Sequence, residues 1–219
     1  MLLSAAYFPP VAYFAAMAKD ITLSADRVIA SVAWIDGWEH YQKQSYRNRC
    51  RIYAADGPQD LNFPIVHDGN PFALPVREIR VDYSTPWLVR TQRAIESAYK
   101  SAPFFDHYRD SLFALMDARP ERLLDWDLSL TRWCLDRLHL PVEIRLTEGY
   151  VAQGDRNYGE DLREVIHPKR ANRILQDLGL DRTYYQVFAP KFGFIPDLSI
   201  LDLLFNEGPA AITWLIKKG

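Results

Sequence analysis

The sequence predicts a mixed α/β fold of the α+β kind: a β-rich N-terminal part with a hairpin, a helical middle over about 87–140, and short C-terminal strands and helices. Three observations predict it. Apolar residues alternate on both sides of an Asp56-Gly57-Pro58 turn, they change to a spacing of three and four from Trp87 onward, and alternation returns at Val142. There is no internal repeat, low-complexity tract or linker, so residues 1–219 are assigned to a single domain.

Leu2 to Tyr7 reads as a short buried strand, Pro9-Pro10 as its stop, and Val11 to Ala18 as a short helix with Val11, Phe14 and Met17 or Ala18 on one stripe. Ile21 to Ser24 and Val28 to Trp34 are β-branched and apolar, which predicts extended chain. The hairpin occupies Arg49 to Val66, a loop follows at Asp68 to Pro75, and Glu78 to Tyr83 is a further strand. Helical spacing then places Trp87, Thr91, Ile95, Ala98 and Tyr99 on one face. Pro103 opens a second helix with Phe104, Phe105, Tyr108, Leu112, Leu115 and Met116 inward, and Asp127 caps a third carrying Leu130, Trp133, Cys134 and Leu138. Val142 to Thr147 alternates as a strand, Gln153 to Gly159 is a polar loop, and Leu162 to Ile166 leads into His167-Pro168. An amphipathic stretch from Ser199 to Phe205 stops at Asn206-Glu207-Gly208-Pro209, before a last short helix.

Composition narrows the function classes. Hydrophobic residues make up 48% of the chain, which excludes a disordered protein, and 26 basic against 28 acidic residues leave a net charge of −2. Nucleic acid and anionic lipid are therefore disfavoured as partners, and any anion must be bound by a local cluster. Cys50 and Cys134 stand far apart outside any CxxC pattern, so no disulfide framework is predicted and a reducing, cytoplasmic setting is expected. The apolar first eighteen residues lack a preceding basic residue and contain Pro9-Pro10, which argues against an export signal; no run of 18 apolar residues predicts a membrane span. His40, His67, His107, His139 and His167 show no metal-ligand spacing, so no metal site is predicted. P-loop, GxGxxG, GxSxG and HExxH signatures are absent, and the cofactor and oligomeric state are left open.

The densest chemistry lies in His40-Tyr-Gln-Lys-Gln-Ser-Tyr-Arg-Asn-Arg-Cys-Arg51, which carries four fixed positive charges and no acid. An extended chain would send Lys43, Arg47, Arg49 and Arg51 to one side; a helix would stack only Lys43, Arg47 and Arg51. Crowded like charges need a partner, either carboxylates such as Asp36, Glu39 or Glu164, or a bound anion such as phosphate. A solvated charged strand and an internal ion-pair network are the plain alternatives. Gln42 and Asn48 can orient a substrate, Tyr41 and Tyr46 can stack on a ring, and His40 can act as general acid or base. Cys50 is a weaker nucleophile candidate, because a strand turns it away from the arginines.

Two further constellations follow. Asp161, Arg163, Glu164, His167, Lys169 and Arg170 mix acid, base and imidazole within ten residues, with a solvated loop as the plainer reading. Tyr184-Tyr185-Gln186 with Lys191 offers Gln186 as a hydrogen-bonding reader beside packed rings.

Tyr7-Phe8-Pro9-Pro10 with Tyr13-Phe14, Tyr41-Gln42-Lys43 with Tyr46-Arg47-Asn48-Arg49, Ser97-Ala98-Tyr99 with Pro103-Phe104-Phe105, and a tail of Tyr184 to Phe188 and Leu198 to Asn206 together resemble the WbqC-like protein family. Its bacterial members are named for one encoded among surface-polysaccharide genes. Many open with His-Gln-Pro-Asn before the tyrosine; Leu3-Ser4-Ala5-Ala6 stand here, so a role for that histidine does not carry over. Ala25 to Gly37 is also longer than the family pattern. The resemblance implies cytoplasmic modification of sugar precursors by transfer of an acyl or aminoacyl group. The expectation is a transferase acting on an anionic, carrier-linked substrate. Lys43, Arg47, Arg49 and Arg51 would hold phosphate, Gln42, Tyr46, Asn48 and Gln186 would bind the rest, and His40, His167 or Glu164 would move the proton. The competing class is a non-catalytic assembly protein whose basic face docks an acidic partner or a nucleic acid.

Overall fold

The computed structural model describes residues 1–23, 28–67 and 69–216. The apolar opening forms β1 (Leu2–Ser4), and after Pro9-Pro10 comes α1 (Val11–Ala18). A small antiparallel pair, β2 (Thr22–Leu23) and β3 (Val28–Ile29), precedes β4 (Ser31–Asp36); Ser24 of the expected extended run lies outside the described residues. The hairpin is β5 (Arg49–Ala54) and β6 (Gly57–Asn62), turning through Ala55-Asp56, with Gly57 at φ +119°. Arg49 stands opposite Asn62 and Arg51 opposite Asp60. Three helices follow, α2 (Trp87–Tyr99), α3 (Phe105–Asp117) and α4 (Leu123–Arg137), and then β7 (Val142–Leu146). The remainder holds α5 (Ile174–Asp177), α6 (Ala189–Phe192), α7 (Ile200–Glu207) and a 3-10 turn at Gly208–Trp214.

The sheet that organises the molecule has the order β1-β4-β7 with every pairing parallel: Leu2 faces Trp34, and Ser31 faces Val142. All three strands therefore end on the same edge. Parallel strands need long crossovers, and the second of them contains the hairpin and all of α2 to α4. Helix α1 is apolar all round and wholly buried, packed between β4, α5 and α7. Its first turn has no side-chain cap of its own. Asp197, 185 residues further on, accepts the Ala12 N–H at 2.7 Å, so the end of the chain completes the beginning.

Three expectations differ. Glu78 to Tyr83 is no strand: Val76–Glu78 is a 3-10 turn, and Ile65–Val81 and Arg80–Arg122 are single bridges. Pro64 has no N–H to extend the ladder, and the Val81 N–H bonds Glu121 O instead. Asp127 caps nothing, because α4 starts four residues earlier to bury Leu123, Leu124 and Trp126; Asp127 sits inside it, 1% exposed. In the C-terminal third the described residues hold short helices and the single bridges Leu2–Asp161 and Pro10–Ser199, where short strands were expected. Asp68 of the expected loop lies outside the described residues, and Pro71–Ala73 within that loop is a 3-10 turn.

The core joins these parts through rings: Tyr7 meets Phe63 edge-on at 4.9 Å, and Phe63 lies 5.4 Å from Trp87. Gly208 ends α7 at φ +54°, where a Cβ would come within 2.4 Å of the Phe104 ring. Gly208→Ala is expected to lower the unfolding free energy by about 2 kcal/mol through backbone strain and overlap. Urea unfolding reads it, and an unchanged midpoint would refute the packing described.

Candidate functional site

Ligands of parallel α/β sheets gather beyond the carboxyl ends of the strands. Here Ser4, Asp36 and Leu146 end the three strands, and the chain leaving them supplies the site. Asp36 has no exposed surface. Its Oδ1 accepts the N–H groups of Trp38 (2.8 Å) and Glu39 (3.2 Å) and the Thr147 hydroxyl (3.2 Å), while Oδ2 accepts Arg163 Nη1 at 2.5 Å. Arg163 also donates to both oxygens of Asp161, at 2.9 and 2.6 Å, and to Val151 O at 2.9 Å. Hydrogen bonding from Arg163 holds the Asp161 carboxyl below its ordinary range and raises Arg163 in turn. Arg163 is thus not part of a solvated loop. It is a buried fork that ties the ends of β4 and β7 to the segment running beside β1.

Beside this knot, Glu39 Oε2 takes Arg47 Nη2 at 2.7 Å and the Ser4 hydroxyl at 3.1 Å. Its Oε1 is buried without a partner among the described residues. Burial raises the Glu39 pKa, and it outweighs the opposing pull of Arg47 and Ser4. Glu39 lines a cleft of about 860 Å³ together with His40, Gln42, Tyr150, Glu164 and Arg170. The segment entering it is extended: His40 bridges Pro75, and the Tyr41 N–H bonds Leu74 O. Alternation therefore turns His40 and Gln42 into this cleft, and Tyr41 and Lys43 into another of about 260 Å³ on the opposite side.

The four predicted cations do not share one face. Ser45 accepts the Arg47 N–H and starts a 3-10 turn at Tyr46–Asn48, which breaks the alternation and drives Arg47 inward to 2% exposure. Arg51 is held across the ladder by Asp60 at 2.8 Å, and Arg49 reaches the same carboxylate only at 3.5 Å. Lys43, Asn48 and Arg49 line the smaller cleft, where Asn48 also donates to Phe63 O at 2.8 Å. Tyr46 and Arg47 line a water-sized space with His167 instead.

Of the predicted proton carriers, His40 and Glu164 enter the Glu39 cleft. His167 does not: burial lowers its pKa, and its Nδ1 accepts the Lys169 N–H at 3.2 Å. The first two constellations do meet, because Gln42 Nε2 donates to Glu164 Oε1 at 3.2 Å and Arg170 pairs with Glu164 at 2.9 Å. The third stays apart. Gln186 is 1% exposed and acts as an internal bracket, donating to Asp202 (2.8 Å) and Ile195 O (2.9 Å) and accepting the Ile195 N–H. Cys50 is buried, and burial pushes its thiol up and away from nucleophile chemistry.

In the sequence Asp36 and Glu39 stand out only as charge partners for the arginines. The available signal was a carboxylate closing a buried apolar run, Ser31 to Asp36, with a second acid three residues on. Phe72 and Asn62, which line the smaller cleft, come from a 3-10 turn and the end of β6, with no shared pattern.

The sequence profile of the WbqC-like protein family matches residues 5–214. A Mycobacterium tuberculosis protein, Rv1507c, described as uncharacterized, is 29% identical over 200 residues, covering 80% of this chain and 83% of its own. No solved structure matches the chain.

Proposed function

The chain belongs to the WbqC-like protein family, and from the cleft at the carboxyl ends of its parallel strands we propose a group-transfer enzyme that moves an acyl or aminoacyl group from an anionic carrier to an acceptor amine or hydroxyl. The observation that carries this reading is Glu39, a buried carboxylate of raised pKa whose Oε1 has no partner among the described residues and which lines a wide cleft. A carboxylate poised nearer neutrality is the better general base. Glu39 takes the proton of the acceptor as its nitrogen or oxygen attacks the carbonyl carbon. The bond from carbonyl to carrier then breaks, and His40 protonates the departing atom. Gln42, anchored through its amide nitrogen on Glu164, keeps its amide oxygen for the acceptor's hydrogen, and Arg170 supplies positive charge for the developing oxyanion. Arg47 and Ser4 position Glu39.

The test is transfer from acyl thioesters to amino sugars, followed by mass spectrometry. Glu39→Gln is expected to slow turnover about 100-fold, and His40→Ala about 10-fold. His40 is exposed, so its variant keeps the fold even if loss of the Glu39–Arg47 pair disturbs it. Undiminished turnover in both variants would sink the assignment.

A further inference from the structure

The smaller cleft, across the 40–43 segment from Glu39, has a different chemistry. Lys43 and Arg49 line it, and among the described residues no carboxylate does. Lys43 is exposed and forms no ion pair among the described residues. Arg49 has only the long 3.5 Å contact to Asp60, whose nearer partner is Arg51 at 2.8 Å. Two cations thus face one opening with little internal charge to answer them.

The same cleft holds Phe72, 42% exposed. Its ring lies 6.0 Å from that of buried Tyr41 at 23°, so one side is backed and the rest is open. Asn70 holds the backbone that carries the ring by accepting the Phe72 N–H at 3.1 Å and capping the Pro71–Ala73 turn. Exposed Asn62 and His67 add hydrogen-bonding groups to the lining. Cations select an anion, and a fixed, half-open ring selects a planar partner. A ligand carrying both satisfies the whole lining. We infer that this cleft binds a nucleoside phosphate, with its phosphates on Lys43 and Arg49 and its base against Phe72. At about 260 Å³ the cleft falls just under the usual range of ligand pockets, and the chain's net charge of −2 gives no field for a polymer, so the ligand is no larger than a mononucleotide.

That this ligand is the carrier of the transferred group rests on the group-transfer reading; the binding itself does not. Calorimetric titration of the wild-type protein with uridine and adenosine diphosphates, inorganic pyrophosphate and an oligonucleotide tests it. A nucleoside diphosphate should bind saturably. Lys43→Ala with Arg49→Ala should weaken both nucleotide and pyrophosphate by at least 10-fold. Phe72→Ala should weaken the nucleotide about 10-fold and leave pyrophosphate unchanged. No saturable nucleotide binding at millimolar concentration, a nucleotide affinity indifferent to Phe72→Ala, or tighter binding of the oligonucleotide would overturn the inference. A protein that binds nucleotide as described yet transfers nothing refutes the catalytic reading and leaves this one standing.

Discussion

Arg163→Met is expected to lower the unfolding free energy by about 3–5 kcal/mol at pH 7, because it strands a carboxylate that has no access to water. Asp36 is 0% exposed; without Arg163 Nη1 it keeps only two backbone N–H groups and the Thr147 hydroxyl, all on Oδ1. Methionine fills much of the stem's volume, so the effect reads charge rather than a cavity. Adding Asp36→Asn should recover much of the loss, since the pair is costly to break and cheaper to remove whole. Acid sensitivity should change as well. Arg163 depresses the Asp161 pKa, so that part of the stability is present above the unfolded carboxyl pKa and is lost as pH falls through the lower, folded value. The variant should lack this acid-side decline. Urea unfolding with an unchanged slope decides the matter, and a loss below about 1 kcal/mol would show the knot to be dispensable.

Asp202→Ala is expected to cost about 3 kcal/mol at pH 7, with a loss that grows as the solution is acidified. Fully buried Asp202 accepts the hydroxyls of Tyr99 (3.0 Å) and Tyr184 (2.7 Å) and Gln186 Nε2 (2.8 Å), tying α7 to α2 and to the strand-free segment at 184–186. Alanine leaves these donors short of their shared acceptor; Gln186 keeps its bond to Ile195 O. Burial pushes the Asp202 pKa up to about 6 from its ordinary value of 3.8, against the three donors. The folded state therefore holds more protons between those values. The stability conferred is fullest below 3.8 and falls as pH rises through 6. The gap between wild type and variant should be wider by roughly 2 kcal/mol at pH 4.5 than at pH 7. Denaturation at both pH values measures it, and a gap that ignores pH would refute the burial of this carboxylate.

The local rules that read elements from sequence worked where one stretch of chain decides its own conformation. The β5–β6 hairpin, α1 and α2 follow from spacing and turn residues, because the periodicity of an element is set by which side it must bury. They failed where a distant partner decides. Pro64 and Glu121 divert the Glu78 to Tyr83 stretch from a ladder, and buried Leu123 and Trp126 pull the start of α4 ahead of Asp127.

The candidate site divides in the same way. The sequence alone marked the His40 to Arg51 stretch, the acid-and-base run at 161–170 and the family, since these depend on which residue types lie close together along the chain. Only the tertiary structure decided that Arg47 turns inward to Glu39, that Gln42 meets Glu164, that Gln186 faces inward to Asp202, and that Phe72 stands beside Lys43 and Arg49. Charge and hydrogen bonding act through space over a few ångströms, so the partner a side chain finds depends on the packing of strands and loops that lie up to 127 residues apart in this site.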